Sequence, residues 1–145
     1  MAHALLEKML ADRRVDHINI RSGGVALYAR DGMLPSLDAR LVLRELDIEL
    51  RETDIVSTDL KRHGYLVAQA DLILTMTQEQ KEMMAVYPEA VGKRIFTLKE
   101  FAGEAGDIDD PAMQGEEAFR ARMDEIKRCL EKSFEDLLQL SYERV

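Results

Sequence analysis

The stretch Ala70–Lys81, ADLILTMTQEQK, decides how the chain is read. Between Asp71 and Thr77 lies the short, uninterrupted apolar run LILTM, which suits a strand buried on both faces of a parallel sheet. Thr77-Gln-Glu-Gln80 has the form of a capping box, so a helix is predicted to start there and to stop near Pro88. Strand followed by helix is the unit from which sheets covered by helices are built.

The same alternation extends in both directions. Downstream, Ile95–Leu98 reads as a final short strand. Phe119, Met123, Ile126, Leu130, Phe134, Leu137 and Leu138 then recur every three or four residues, which predicts a long amphipathic helix. Upstream, residues 2–13 read as a helix with an apolar stripe of Ala4, Leu5, Leu6, Met9 and Leu10. His17–Val25 reads as a strand ending in a Gly-Gly turn. Pro35-Ser36 opens a helix carrying Leu37, Leu41, Leu43 and Leu46, and Asp54–Ala70 is expected to hold a further short helix with Thr58 as its N-cap. The order α-β-α-α-β-α-β-α predicts an α/β fold, a small parallel sheet with helices on both faces. Its beginning is unusual: doubly wound domains open with a strand that leads into the first helix, and here the helix comes first.

Composition narrows the function classes. The 145 residues fit a single domain, residues 1–145, with no repeat, linker or low-complexity tract. A net charge of -8 excludes the basic footprint of a nucleic-acid or anionic-membrane partner. No apolar run approaches the ~18 residues of a membrane-spanning helix, and the N-terminal stretch is charged too early for a secretory signal. One cysteine cannot make an internal disulfide, which fits a reducing compartment, so a cytoplasmic location is expected. His3, His17 and His63 have no metal-ligand spacing, and no cofactor is expected. The eight methionines fall mostly at helical core spacings.

Four motifs in register, RSGGV (21–25), ADLILTMTQEQK (70–81), FTLKEFAGE (96–104) and DIDDP (107–111), resemble low-molecular-weight protein tyrosine phosphatases. The resemblance covers about residues 1–138. MAHALLEKML resembles that family's first helix, and FTLKEFAG with the Asp-Pro segment is most similar to the bacterial branch that includes protein-arginine phosphatases. It implies a three-layer αβα sandwich of the phosphatase I type and a phosphoprotein substrate, either a monoester such as phosphotyrosine or phosphoarginine. It also implies a cysteine thiolate in a Cys-x5-Arg-Ser loop that attacks phosphorus at a helix N-terminus. An aspartate in an Asp-Pro turn protonates the leaving group, which gives Asp110 of Asp110-Pro111 the general-acid role.

That Cys-x5-Arg loop and the strand before it have no counterpart among these residues, and Met1 falls just past their place. The expectation is a truncation at a helix boundary, with the first strand missing. Two readings follow: a phosphatase, active in a full-length form and begun here at an internal Met, or a genuine short pseudophosphatase acting as an interaction or regulatory module. A residual enzyme that uses Asp110 without a covalent intermediate is a third. Ala112-Met113-Gln114 departs from the family's Phe-Gly-Gly after Asp-Pro.

The individual side chains have plain readings beside these. Cys129 lies mid-helix beside Ile126 and Leu130, without the cationic or helix-terminal setting of a reactive thiolate, and reads as core. Asp110 is either the acid or a solvated loop residue. Asp107 and Asp109 read as solvent-facing charges, and Arg21-Ser22 as turn structure rather than an anion clamp. A parallel sheet without its central strand leaves two unpaired edges. The isolated chain is therefore expected to form a homodimer that compensates or to be markedly unstable, with closure of the sheet inside a monomer as the alternative.

Overall fold

In the computed structural model, which describes residues 1–51 and 54–143, Leu72–Thr75 (β1) and Arg94–Thr97 (β2) pair in parallel. Glu52, Thr53, Arg144 and Val145, which complete the span 1–145, lie outside the described residues. Leu72 stands opposite Arg94, Ile73 opposite Ile95, Leu74 opposite Phe96 and Thr75 opposite Thr97. Parallel neighbours need a crossover connection. The helix Gln78–Ala85 and a single 3-10 turn at Pro88–Ala90 supply it.

Successive side chains of a strand point to opposite faces, and that sorts the remaining elements into layers. Ile73 and Ile95 pack on one face with Val67, Met84 and Ala90. Val67 comes from the helix Gly64–Gln69 and Met84 from Gln78–Ala85. Leu74 and Met76 pack on the other face with Ala4 and Leu5, Val42 and Leu43, and Met123, Ile126 and Leu130. These belong to three longer helices, Ala2–Asp12 (α1), Leu37–Glu45 (α2) and Glu116–Glu143. In chain order Gly64–Gln69 is α3, Gln78–Ala85 is α4, the short helix Leu98–Phe101 is α5 and Glu116–Glu143 is α6. The result is an α/β sandwich with a small parallel sheet between helical layers.

The long helix α6 is as its periodicity predicts: Phe119, Met123, Ile126, Leu130, Phe134 and Leu138 are buried along one stripe. The helix expected to open at Pro35-Ser36 does so with Ser36 as the cap of α2, its hydroxyl accepting from the Ala39 N–H at 3.2 Å. Among the described residues no helix is long and apolar enough to cross a membrane. Most methionines do pack, but Met33 is largely exposed and Met113 entirely so.

Several expectations are corrected. His17–Val25 is not a strand. Ile18 and Ile20 do bury their side chains beside Leu10, Phe134 and Leu138, but among the described residues 16–23 have no backbone partner. Alternation can bury side chains; only a neighbouring ladder makes a strand. The one sheet-like contact is an isolated bridge of Gly24 with Asp59. The helix expected from Thr58 starts instead at Gly64, with His63 at its N-cap. Residues 57–60 are engaged by the loop before α2: Gly24 N–H donates to Thr58 C=O, Gly32 N–H to Ser57 C=O, and Leu60 N–H to Gly24 C=O.

β1 is covered on both faces but only in part, since Leu72, Ile73 and Leu74 are half-buried and Thr75 alone is fully so. Half of the Thr77 capping box forms. The Thr77 hydroxyl accepts from Gln80 N–H, but the Gln80 side chain reaches one residue too far and accepts from Met76 N–H. The strand expected to end at Leu98 ends at Thr97, where a complete capping box turns the chain into α5.

Candidate functional site

Asp110 lies in the loop from α5 to α6, and that loop is fixed at each step. Thr97 Oγ1 accepts from Glu100 N–H at 3.1 Å while the Glu100 carboxylate accepts from Thr97 N–H at 2.9 Å. The Lys81 ammonium donates to the same carboxylate at 2.9 Å. These partners, the Thr97 N–H first, hold the Glu100 carboxyl below its ordinary range. T-L-K-E is itself a capping-box signature that sequence reasoning passed over, because the run Ile95–Leu98 was read as strand to its end.

Beyond α5, Gly106 takes φ +102°, a conformation open to glycine and strained for other residues. It reverses the chain so that Asp107 Oδ1 accepts from Gln78 N–H at 2.9 Å, at the start of α4. Asp107 is solvent-facing as expected, and its carboxylate is also bonded to the start of α4. The next N–H, that of Ile108, donates to Met76 C=O at 2.9 Å, and the Ile108 side chain is buried. Asp109 and Asp110 stay exposed, and Pro111 sinks back into the fold. Asp110 Oδ1 accepts from Ala112 N–H at 2.9 Å, and its C=O accepts from the Gln114 side-chain amide at 3.1 Å. The departure at 112–114 therefore forms a closed turn, with Met113 at φ +64°.

The loop is tied to β1 just past its carboxyl end, where open parallel sheets hold their ligands. Met1, Ala2, Ala4 and Leu5 from the start of α1 join the same core cluster as Met76 and Ile108. No side chain caps α1. His3 bridges from it to Ser22 Oγ at 2.6 Å and to Glu7 at 2.7 Å, so Ser22 is engaged with α1, and Arg21-Ser22 and the two glycines after them form no turn, contrary to expectation. His17 bonds Ser141 and stacks on Tyr142, and His63 bonds Asp31 at 3.0 Å. The three histidines are dispersed.

Cys129 is wholly buried in α6, and burial pushes its thiol above the ordinary value, away from the thiolate a nucleophile needs. Two shallow hollows mark the surface. One of about 330 Å³ is lined by residues including Lys61, Arg62, Tyr87 and Glu89, the other of about 260 Å³ by Gly23, Gly24, Met33, Leu34, Val56 and their neighbours. Neither includes Asp110 or Cys129.

A family model described as low molecular weight phosphotyrosine protein phosphatase matches residues 1–141. The chain is 35% identical to a protein-arginine-phosphatase of Geobacillus stearothermophilus, over 94% of this chain and 86% of that one. It is 31% identical to the low molecular weight protein-tyrosine-phosphatase PtpB of Staphylococcus haemolyticus, over 87% and 81%. The solved YwlE arginine phosphatase from Geobacillus stearothermophilus superposes with a TM-score of 0.80 at 34% identity, covering 99% of this chain and 87% of that one. With its fold, its motifs and this match agreeing along the chain, the protein belongs to the low molecular weight phosphotyrosine protein phosphatase family.

Proposed function

We propose that this domain serves the removal of phosphoryl groups from protein side chains, that its substrate class is phosphoarginine, and that Asp110 is the proton donor. The observation that carries this is the position of Asp110-Pro111, bound to the carboxyl end of β1 through Ile108 and Asp107. The names of the relatives at 35% and 33% identity, both protein-arginine-phosphatases, favour arginine over tyrosine. In such a reaction a nucleophile forms a bond to phosphorus as the P–N bond breaks. Asp110 then gives its proton to the departing guanidine, and water releases phosphate from the nucleophile. The attacking thiolate and the arginine that would cradle the phosphoryl oxygens are not among these 145 residues. The chemistry runs only in a polypeptide that supplies them, and the chain by itself is silent.

The test is a fusion in which the first strand and Cys-x5-Arg loop of the Geobacillus relative precede Met1. It is expected to release phosphate from phosphoarginine faster than from phosphotyrosine. A preference for phosphotyrosine would overturn the substrate assignment.

A second copy of the chain is the partner we infer for the isolated polypeptide. Among the described residues β1 pairs along one edge only and 16–23 have no backbone partner. Unpaired edges of this kind invite pairing with another chain. Light scattering is expected to find a dimer, and a monodisperse monomer with a sharp melt above about 60 °C would contradict it.

A further inference from the structure

We propose that Asp107 is a positioning residue for Asp110, acting through the N-terminus of α4; this rests on Asp110 as the proton donor. Gln78 is the first residue of α4, and its N–H has no partner within the helix. The Asp107 carboxylate takes that N–H at 2.9 Å, so a negative group meets the positive end of the helix. Thr77 caps a different N–H, that of Gln80, so the two caps do not compete.

What this bond adds is a clamp between two distant loops. Ile108 N–H to Met76 C=O is one anchor, buried Pro111 is another, and Asp109-Asp110 is the short arch between them. Asp107 stops that arch from pivoting about Ile108. Gly106, at φ +102°, is what lets the chain deliver Asp107 beneath α4. With the pivot closed, Asp110 keeps its hydrogen bond from Ala112 N–H. Exchange at the Ala112 amide therefore reports the placement of the Asp110 carboxylate, three residues from the clamp.

Amide hydrogen exchange by NMR on the 145-residue chain tests the link without any catalytic readout. A failure here thus leaves the role of Asp110 in catalysis to its own test. Asp107→Ala is expected to speed exchange at both Gln78 and Ala112 by about tenfold or more, with Leu130 in the core of α6 unchanged. Asp107→Asn keeps the accepting oxygen and is expected to restore protection at Ala112. Gln78→Pro deletes the same hydrogen bond from the donor side. Proline is tolerated at a first helical position, and Thr77 already has the extended backbone (φ -131°, ψ 159°) that a following proline requires. It is expected to reproduce the acceleration at Ala112, which keeps the test alive if Asp107→Ala unfolds. Wild-type protection at Ala112 in Gln78→Pro would overturn the proposal and leave Asp107 as a cap for α4 alone. So would acceleration at Ala112 in Asp107→Asn equal to that in Asp107→Ala.

Discussion

Purified as its 145 residues, the chain is expected to release phosphate from aryl phosphate or phosphoarginine at the background rate. Phosphoryl transfer depends on placing a nucleophile in line and neutralising charge on the equatorial oxygens. The chain's single thiol can do neither. Cys129 is fully buried in the middle of α6, flanked in the core by Ile126 and Leu130, and its proton is held more tightly than in water. Its backbone carbonyl accepts from Ser133 Oγ at 2.7 Å, which belongs to helix structure and leaves the sulfur inside. A thiol in that setting is inert, because the thiolate is the reactive form. Cys129→Ser is accordingly expected to leave phosphate release at background. Turnover that disappears in Cys129→Ser would mean that α6 opens to expose a working nucleophile. Turnover that survives it and disappears in Asp110→Asn would mean that water attacks directly with Asp110 as the sole catalyst. Either would contradict the expected background rate.

The parts of the fold legible in the sequence are those whose information is local. The stripe of α6 is written every three or four residues from Phe119 to Leu138, and its burial follows from that spacing alone. Ser36 as the cap of α2 was legible for the same reason, since donor and acceptor are three residues apart. The errors lie where a distant segment decides. Ile18 and Ile20 alternate correctly for a strand, but a strand is completed by a neighbour, and none among the described residues pairs with them. Thr58 has the chemistry of a helix cap, but residues 57–60 are committed to the loop carrying Gly24 and Gly32. That contact spans some thirty positions, and no local rule registers it.

The candidate site divides in the same way. Asp110 is proposed from the Asp-Pro motif and its resemblance, and the structure adds where the loop is tied. Asp107 is solvent-facing as its sequence suggests, but its bond from the Gln78 N–H was not legible because that donor lies in another loop. The motif DIDDP does hold a hint, an aspartate three positions before the candidate acid, with a buried isoleucine between. The capping box at Thr97–Glu100 was fully local and was overlooked only because a strand was read through it.

The most direct test of the account is the effect of Asp110→Asn on the fusion that carries the relative's strand and Cys-x5-Arg loop ahead of Met1. Asparagine keeps the shape of the side chain and its acceptor for Ala112 N–H, so the loop remains closed and only the transferable proton is lost. General acid catalysis contributes typically about 10²- to 10⁴-fold, and its contribution grows with the basicity of the leaving group. On phosphoarginine kcat is expected to fall by about that factor while the fusion stays folded. The loss should be smaller on an aryl phosphate whose phenolate leaves without help. An Asp110→Asn fusion that hydrolyses phosphoarginine at the unaltered rate would contradict the account, because the proton would then come from another group and the loop anchored at β1 would not be part of the active site.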